Sequence, residues 1–257
     1  MMTMNSDNMS NADNLANAVG EELDCNNINN PWMMTYPSRR VVSLKDPRAS
    51  DIDIEDICHA LSMQCRFGGH CSDFYSVAQH SVHVAQLVQA IIRDEGYNFD
   101  DDRTLEAMRL GLMHDAHEAY IGDMIRPMKS AVGNRYHLLE GKFMACVQQR
   151  FGLYGEDEEL VGIVKQADVE MLALEAKLLQ GINPARDWGL DVANSRLPVE
   201  FRIMVESVPD GTIGNGQPGA DGMRRGPVIW SPDQARLNFL GLYTHLDILR
   251  ILPKTTC

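Results

Sequence analysis

The chain contains no apolar run of 18 or more residues, and it does not start with a basic segment followed by an apolar one. The first absence argues against a transmembrane helix and the second against a secretory signal peptide. The six cysteines include no C-x-x-C pair, so neither a zinc ribbon nor a thioredoxin-like redox motif is indicated. We therefore expect a cytoplasmic protein with reduced thiols and no membrane partner.

Positive charge is also scarce. The chain has 23 Lys and Arg residues against 36 Asp and Glu residues, which gives a formal net charge of −13. Most of the surface would repel a polyanion, so we expect no DNA or RNA polymer as a partner. A small phosphorylated ligand remains compatible, because a metal ion and a few local cations can reverse the field inside one pocket.

Apolar residues recur at helical spacing along most of the chain, and alternation with a period of two is almost absent. This pattern predicts an all-α fold. We divide the chain into a polar, disordered tail over residues 1–34 and one domain over residues 35–257. Within that domain, residues 209–227 contain six glycines and three prolines, which predicts a mobile loop or insertion. The predicted helices cover roughly residues 51–65, 76–93, 100–120, 134–151, 159–179 and 232–249.

Four polar residues lie on the apolar faces of these predicted helices: His80, the adjacent pair His114 and Asp115, and Asp168. Asp168 is the clearest case, because apolar residues lie three or four positions away and its carboxylate therefore points toward the core. A buried carboxylate without a partner is costly, so it needs a cation or hydrogen bonds. Two imidazoles and two carboxylates brought together would bind a divalent ion.

Several short segments accompany these residues. They read Arg-Phe-Gly-Gly-His at 66–70, Ser-Val-Ala-Gln-His-Ser at 76–81, His-Asp-Ala-His-Glu at 114–118, Gly-Asp at 122–123, Pro-Met-Lys at 127–129 and Lys-Gln-Ala-Asp at 165–168. Together they resemble the HD-domain metal-dependent phosphohydrolases, in the branch that contains bacterial 5′-deoxynucleotidases and related phage and prophage proteins. The resemblance covers about residues 37–205 and implies an HD-domain helical bundle.

The resemblance implies one metal centre and a catalytic carboxylate. The four residues that match the family's metal ligands are His80, His114, Asp115 and Asp168. The cofactor would be one divalent metal ion, with Mn, Co, Mg, Zn and Fe as the candidates. Glu118 matches the catalytic carboxylate, which would orient or deprotonate a water molecule or protonate the leaving oxygen. Glu118 follows His114 by four residues, so the two would share one face of a continuous helix.

Four further residues match substrate contacts of the family. Asp123 matches a carboxylate beside the deoxyribose, which we group with the catalytic residues. Arg66 matches a basic residue that holds the substrate phosphate, and Lys129 a second phosphate contact. Phe67 matches an aromatic residue near the sugar or base. The relatives usually carry Trp where Phe67 stands, and the spacing from the arginine to the first histidine differs by one residue, which leaves the sugar preference open.

Three functions are compatible with these residues. The first, which we favour, is a 5′-nucleotidase acting on deoxynucleoside monophosphates. The second is a phage-type deoxynucleoside triphosphate hydrolase, for example on dATP, which would deplete one nucleotide pool. The third is a metal-binding regulatory protein without catalysis, against which the presence of Glu118, Arg66 and Asp123 argues. Either enzyme would act on a small nucleotide in the cytoplasm, or in the host cytoplasm if phage-encoded, and the resemblance implies a homo-oligomer.

Overall fold

The computed structural model describes residues 31–153, 157–190 and 228–251, and these residues are mostly helical. An antiparallel hairpin comes first, with strand β1 (Trp32–Met34) paired to strand β2 (Val41–Ser43). The helices are α1 (Ile54–Met63), α2 (Val77–Asp94), α3 (Asp101–Met113), α4 (Glu118–Ile121), α5 (Arg126–Val132), α6 (Asn134–Phe151), α7 (Glu158–Glu175), α8 (Pro184–Trp188) and α9 (Pro232–Ile251). The predicted all-α fold is confirmed. In the part of the chain that the structure describes, no helix is both long and apolar enough to cross a bilayer.

Polar side chains fix where several of the helices begin. Asp53, Asp100 and Asp157 cap α1, α3 and α7 by accepting hydrogen bonds from backbone N–H groups of the first turn. Ser76 caps α2 in the same way, and its Oγ accepts a hydrogen bond from Gln79 N at 3.1 Å. Such caps satisfy amides that have no partner within the helix. Because capping depends on local sequence, these helix starts lie close to the predicted ones.

Helix α2 lies at the centre of the bundle. It packs against α3, α7 and α9, and its side chains Val84, Leu87 and Ile91 are fully buried. The polar residues His80 and Ser81 of the same helix are also fully buried. Every residue from 77 to 85 is buried, so this half of the helix removes even its polar groups from water. His80 therefore needs partners inside the protein.

The side chain of Gln79 joins α2 to the segment that leads into α9. Its Nε2 donates a hydrogen bond to Val228 O at 2.6 Å, and its Oε1 accepts one from Trp230 N at 3.1 Å. Trp230 also lies against the ring of His83, with the ring centroids 5.0 Å apart. These contacts hold the segment that leads into α9 against the first turns of α2.

Helix α3 approaches α2 closely at Gly111. A Cβ atom on residue 111 would lie 3.1 Å from Val88 Cγ2 and 3.2 Å from Ala85 Cα. The second of these atoms belongs to the backbone, so it cannot move aside without shifting the helix. Glycine therefore allows α3 to lie against α2, and its carbonyl oxygen accepts a hydrogen bond from His114 Nδ1 at 2.8 Å.

The predicted continuous helix over residues 100–120 is wrong at the His-Asp pair. Helix α3 ends at Met113, and the chain makes a tight turn before α4 begins at Glu118. Short hydrogen bonds hold this turn, including those from Ala116 N to Met113 O at 3.0 Å and from Glu118 N to Asp115 O at 2.9 Å. Bonds that span three residues wind the chain more tightly than an α-helix does. The position of Glu118 therefore depends on this turn and not on a shared helix face.

Other segments also differ from the predicted elements. The final part of the predicted helix over residues 159–179 is a π-helical turn at Ala176–Gln180, and α5 and α8 are not among the predicted helices. Residues 32–34, which the sequence assigns to the tail, form strand β1. The rest of the predicted tail and the glycine-rich segment at 209–227 lie outside the described residues.

We expect Gly111→Ala to destabilise the protein by about 1–3 kcal/mol, because the added methyl group would lie only 3.2 Å from a backbone atom of α2 and would push the two helices apart. Gly141→Ala provides the matched control. Gly141 lies within α6, and a Cβ atom there meets nothing within 4 Å. We expect this second change to stabilise the protein by about 0.5–1 kcal/mol, since alanine favours the helix. Urea denaturation of both variants checks the two signs, and equal effects would contradict the close approach at Gly111.

Candidate active site

Side chains from three helices meet at one point beside α2. His80 lies in the first turn of α2, His114 directly follows α3, and Asp168 lies in α7. The Nε2 atoms of the two histidines are 3.3 Å apart, and His80 Nε2 is 3.2 Å from Asp168 Oδ1. One ligand atom from each of the three residues lies within 4.8 Å of the others. Two imidazole nitrogens and a carboxylate oxygen at this separation are donors that suit a divalent ion.

The outer nitrogens of both histidines are engaged by acceptors. His80 Nδ1 lies 2.6 Å from Glu175 Oε1, and His114 Nδ1 lies 2.8 Å from Gly111 O. Because a carboxylate and a carbonyl oxygen only accept, each Nδ1 must carry the hydrogen. Each Nε2 is thereby directed toward the shared point. This is the arrangement in which a histidine ligates through Nε2 and is oriented through Nδ1.

Asp115 adds a second carboxylate to the cluster. Its Oδ2 lies 3.1 Å from His114 Nε2 and 3.7 Å from His80 Nε2. The structure thus brings all four predicted ligands together, although the three-residue group with mutual separations below 4.8 Å does not include Asp115. We therefore place Asp115 at the edge of the candidate metal site.

The charges in this cluster attract a cation. Burial by itself would raise the pKa of Asp168, but hydrogen bonds from His114 and His80 hold that pKa well below its ordinary value. Burial would likewise lower the pKa of His114, yet Asp115 and Asp168 raise it well above 6.5. Positive charge among these atoms is therefore strongly favoured. A divalent ion supplies that charge and satisfies both Nε2 atoms at once, so the donor set fits a metal.

Glu118 is buried beside the cluster and carries an unsatisfied oxygen. Its Oε2 has no hydrogen-bond partner among the described residues, and its Oε1 is 3.6 Å from Lys129 Nζ. Burial, together with the nearby charges of Asp115 and Asp123, raises the pKa of Glu118 well above its ordinary value. A carboxyl group in such surroundings holds a proton more readily than an exposed one. It is therefore suited to exchanging a proton with a bound substrate.

Asp123 occupies the neighbouring turn and is tied to Glu118 through Gln64. The side chain of Gln64 donates to Glu118 O at 3.0 Å and accepts from Asp123 N at 2.9 Å. The Oδ2 atom of Asp123 is buried and also has no partner among the described residues. Burial is the main reason that the pKa of Asp123 is raised. Two unsatisfied carboxylate oxygens on one side of the cluster indicate a place for a polar ligand.

Arg66 approaches the cluster from the segment between α1 and α2. Its side chain is 10% exposed, and its Nε and Nη2 atoms both donate to Glu175 Oε2 at 3.2 Å. Its Nη1 lies 3.8 Å from Asp115 Oδ2. The next residue, Phe67, has a φ of 59°, which is unusual for a residue other than glycine. Gly68 follows with a φ of 60°, and this turn holds the phenyl ring 5.7 Å from the guanidinium carbon of Arg66.

A cavity of about 550 Å³ opens over these groups. Seven of the nine predicted site residues line it, and these are Arg66, Phe67, Asp115, Glu118, Asp123, Lys129 and Asp168. The other two, His80 and His114, lie beneath it with their Nε2 atoms beside Asp168. Trp188 and Leu190 form part of an apolar wall. The cavity therefore combines a charged floor with aromatic and aliphatic sides, as small-molecule sites commonly do.

Several residues of the site are not identified in the sequence analysis. Glu175 binds both His80 and Arg66, Glu140 binds Lys129 Nζ at 2.7 Å, and Trp188 lines the cavity. The position of Glu175 could have been inferred from its spacing in the sequence. Glu175 follows Asp168 by seven residues, so both side chains lie on one face of α7. The contacts of Glu140 and Trp188 depend on how separate helices pack, and no local pattern reveals them.

Comparison with known proteins identifies the family. A family profile described as "5′-deoxynucleotidase YfbR-like" matches residues 66–174. The chain is 37% identical over 158 residues to an uncharacterized protein of Rhodobacter capsulatus, covering 60% of this chain and 76% of that protein. It is 36% identical over 172 residues to the uncharacterized protein YfdR of Escherichia coli, covering 67% of this chain and 78% of YfdR.

The chain belongs to the YfbR-like family of HD-domain proteins. The match spans Arg66, the His-Asp pair and Asp168, so it covers the elements that form the cluster described above. Members of this superfamily use a divalent metal, and the His80, His114 and Asp168 group is the candidate site for it. The class of activity implied by the family is phosphohydrolysis.

We expect Asp168→Asn to lose bound divalent metal and activity together, because the change removes one anionic donor while keeping the side-chain shape. Elemental analysis of the protein after dialysis measures the metal content. Asp101→Asn is the control, since Asp101 is exposed at the start of α3 and should leave the metal content unchanged. Full metal content in Asp168→Asn would show that the ion binds elsewhere.

Proposed function

We propose that this protein is a metal-dependent 5′-nucleotidase that removes phosphate from deoxynucleoside monophosphates. The observation that carries the proposal is the grouping of three kinds of residue around one cavity. Inward-facing metal donors lie at its floor, a buried arginine lies beside them, and a carboxyl group with an unsatisfied oxygen lies within the same site. The description of the family agrees with this chemistry.

The metal would be held by His80, His114 and Asp168, with Asp115 as the fourth ligand. Nitrogen and oxygen donors of this kind accept Mn, Co, Mg, Zn or Fe. When bound, a divalent ion supplies Lewis acidity that polarises the phosphoryl oxygens and favours attack by water. The protein residues then have three tasks, which are to hold the phosphate, to move a proton and to accommodate the nucleoside.

Arg66 is the residue best placed to hold the phosphate. A guanidinium group has five N–H donors, and Glu175 takes one from Nε and one from Nη2. Of the remaining three donors, one on Nη1 and one on Nη2 form the free end of the guanidinium group, and Nη1 lies 3.8 Å from Asp115 Oδ2. Two parallel N–H groups on this edge match two oxygens of a phosphate. Lys129, which lines the same cavity, provides a second positive charge.

Glu118 is the residue best placed to move a proton. In the reaction the oxygen of a water molecule bonds to phosphorus while the bond from phosphorus to the 5′ oxygen breaks. The departing 5′ oxygen needs a proton, and the attacking water loses one. A carboxyl group with a raised pKa can take part in either transfer. Its unsatisfied Oε2 is the atom available for that hydrogen bond.

The balance of charge in the cavity favours a monophosphate over a triphosphate. Among the described residues, the cavity is lined by the carboxylates of Asp115, Glu118, Asp123 and Asp168 and by the cations Arg66, Arg126 and Lys129. Lys129 is already paired with Glu140. A phosphate monoester carries a charge of about −2 near neutral pH, and a triphosphate carries more. Few cations are left to offset the additional phosphoryl groups.

Release of inorganic phosphate from a panel of nucleotides tests the proposal. With Mn²⁺, Co²⁺, Mg²⁺ or Zn²⁺ added, we expect deoxynucleoside monophosphates to be converted to nucleosides, and EDTA to abolish the reaction. Chromatography identifies the products. Selective loss of one triphosphate would instead establish the triphosphate hydrolase. Absence of turnover on every nucleotide, with metal bound, would contradict both enzyme assignments.

We expect Glu118→Gln to lower kcat by about 100-fold or more while the bound metal is retained, because the amide keeps the shape but cannot exchange the proton. Phosphate release and metal content are measured on the same preparation. Glu158→Gln is the control, since Glu158 is exposed in the first turn of α7. Normal turnover by Glu118→Gln would show that another group moves the proton.

A further inference from the structure

Glu175, the last residue of α7, is fully buried, and its two oxygens bind two different parts of the site. Oε1 lies 2.6 Å from His80 Nδ1, while Oε2 accepts from Nε and Nη2 of Arg66 at 3.2 Å. One carboxylate thus connects a candidate metal ligand with the candidate phosphate-binding residue.

The first contact fixes the orientation of the His80 ring. A carboxylate can only accept a hydrogen bond, so Nδ1 carries the hydrogen and Nε2 faces His114 and Asp168. If this contact were lost, the hydrogen could move to Nε2, and the lone pair would then point away from the site. Partners of this type commonly change metal affinity or activity by about 10- to 100-fold when they are removed.

The second contact determines which edge of Arg66 remains available. With Nε and one hydrogen of Nη2 bound to Glu175, the Nη1 side is directed toward the cluster, 3.8 Å from Asp115 Oδ2. The negative charge of Glu175 also offsets the guanidinium charge, whose burial would otherwise be costly. Glu175 therefore keeps Arg66 both buried and turned toward the place where a phosphate would bind.

We propose that Glu175 is a positioning residue that couples metal binding by His80 to phosphate binding by Arg66. This inference rests on the proposed function for the role of Arg66, but its metal-binding part does not require any substrate. The Glu175 carboxylate uses one oxygen for His80 and the other for Arg66. A substitution that leaves only one acceptor oxygen must therefore disturb at least one of these two residues.

Glu175→Gln makes that change with almost no change of shape. The glutamine has one oxygen and one NH₂ group, and in either orientation its NH₂ group faces an N–H donor of His80 or of Arg66. We expect the affinity for Zn²⁺ to fall by about 10- to 100-fold, or KM for the nucleotide to rise by a similar factor, or both. Competition with a chelator measures the first quantity. Steady-state kinetics at saturating metal measure the second.

Glu170→Gln is the matched control, because Glu170 is also buried and lies in the same helix. Its Oε1 accepts from Gln166 Nε2 at 3.1 Å, and no part of it lines the cavity. We expect this variant to bind Zn²⁺ and substrate as the wild type does. If Glu175→Gln matches Glu170→Gln in both quantities, the proposed coupling is wrong.

A measurement on the wild type keeps the inference testable if Glu175→Gln does not fold. Nitrogen-15 NMR of the Zn²⁺-loaded protein distinguishes the two nitrogens of each imidazole. We expect Nδ1 of His80 to carry the hydrogen, and the opposite assignment would overturn the proposal. A wild type that binds Zn²⁺ with this tautomer but hydrolyses no nucleotide would refute the proposed function and leave the positioning of His80 intact.

Discussion

Two imidazole nitrogens and a carboxylate meet at one buried point, and this meeting constrains how three helices pack and how the chain turns beside them. His80 Nε2 and His114 Nε2 are 3.3 Å apart, and Asp168 Oδ1 is 3.2 Å from the first of them. This arrangement requires that positive charge be present among the three groups. It also requires that α2, α3 and α7 be held together tightly. Gly111 and the buried apolar side chains of α2 meet that second requirement.

The same constraint explains why the chain leaves the α-helix at the His-Asp pair. After α3 ends, the tight turn over residues 114–117 brings Asp115 to the edge of the cluster and starts α4 at Glu118. A continuous helix would fix these side chains by its own periodicity, whereas the turn fixes them by short hydrogen bonds. The departure from regular structure therefore coincides with the candidate catalytic residues, as is common for functional sites.

Much of this arrangement is predictable from the sequence. The remainder is unpredictable because it depends on contacts between segments that are distant in the chain. Helical periodicity and local caps predict the main helices, since both depend on neighbouring residues. His80, His114, Asp115 and Asp168 stand out because polar groups on apolar faces are unusual. The interruption before Glu118 and the partners of Lys129 depend on packing between distant segments, so local patterns do not predict them. Glu175 is predictable only in part. Its spacing from Asp168 predicts the helix face on which it lies, but no local pattern predicts its contacts with His80 and Arg66.

The proposed metal centre holds a divalent ion between His80, His114 and Asp168, with both histidines ligating through Nε2. Anomalous X-ray diffraction from crystals grown with Mn²⁺ can locate this ion without reference to activity. We expect one strong peak within about 2.0–2.5 Å of His80 Nε2, His114 Nε2 and a carboxylate oxygen of Asp168. A peak at another site, or histidines turned so that Nδ1 faces the ion, would contradict it.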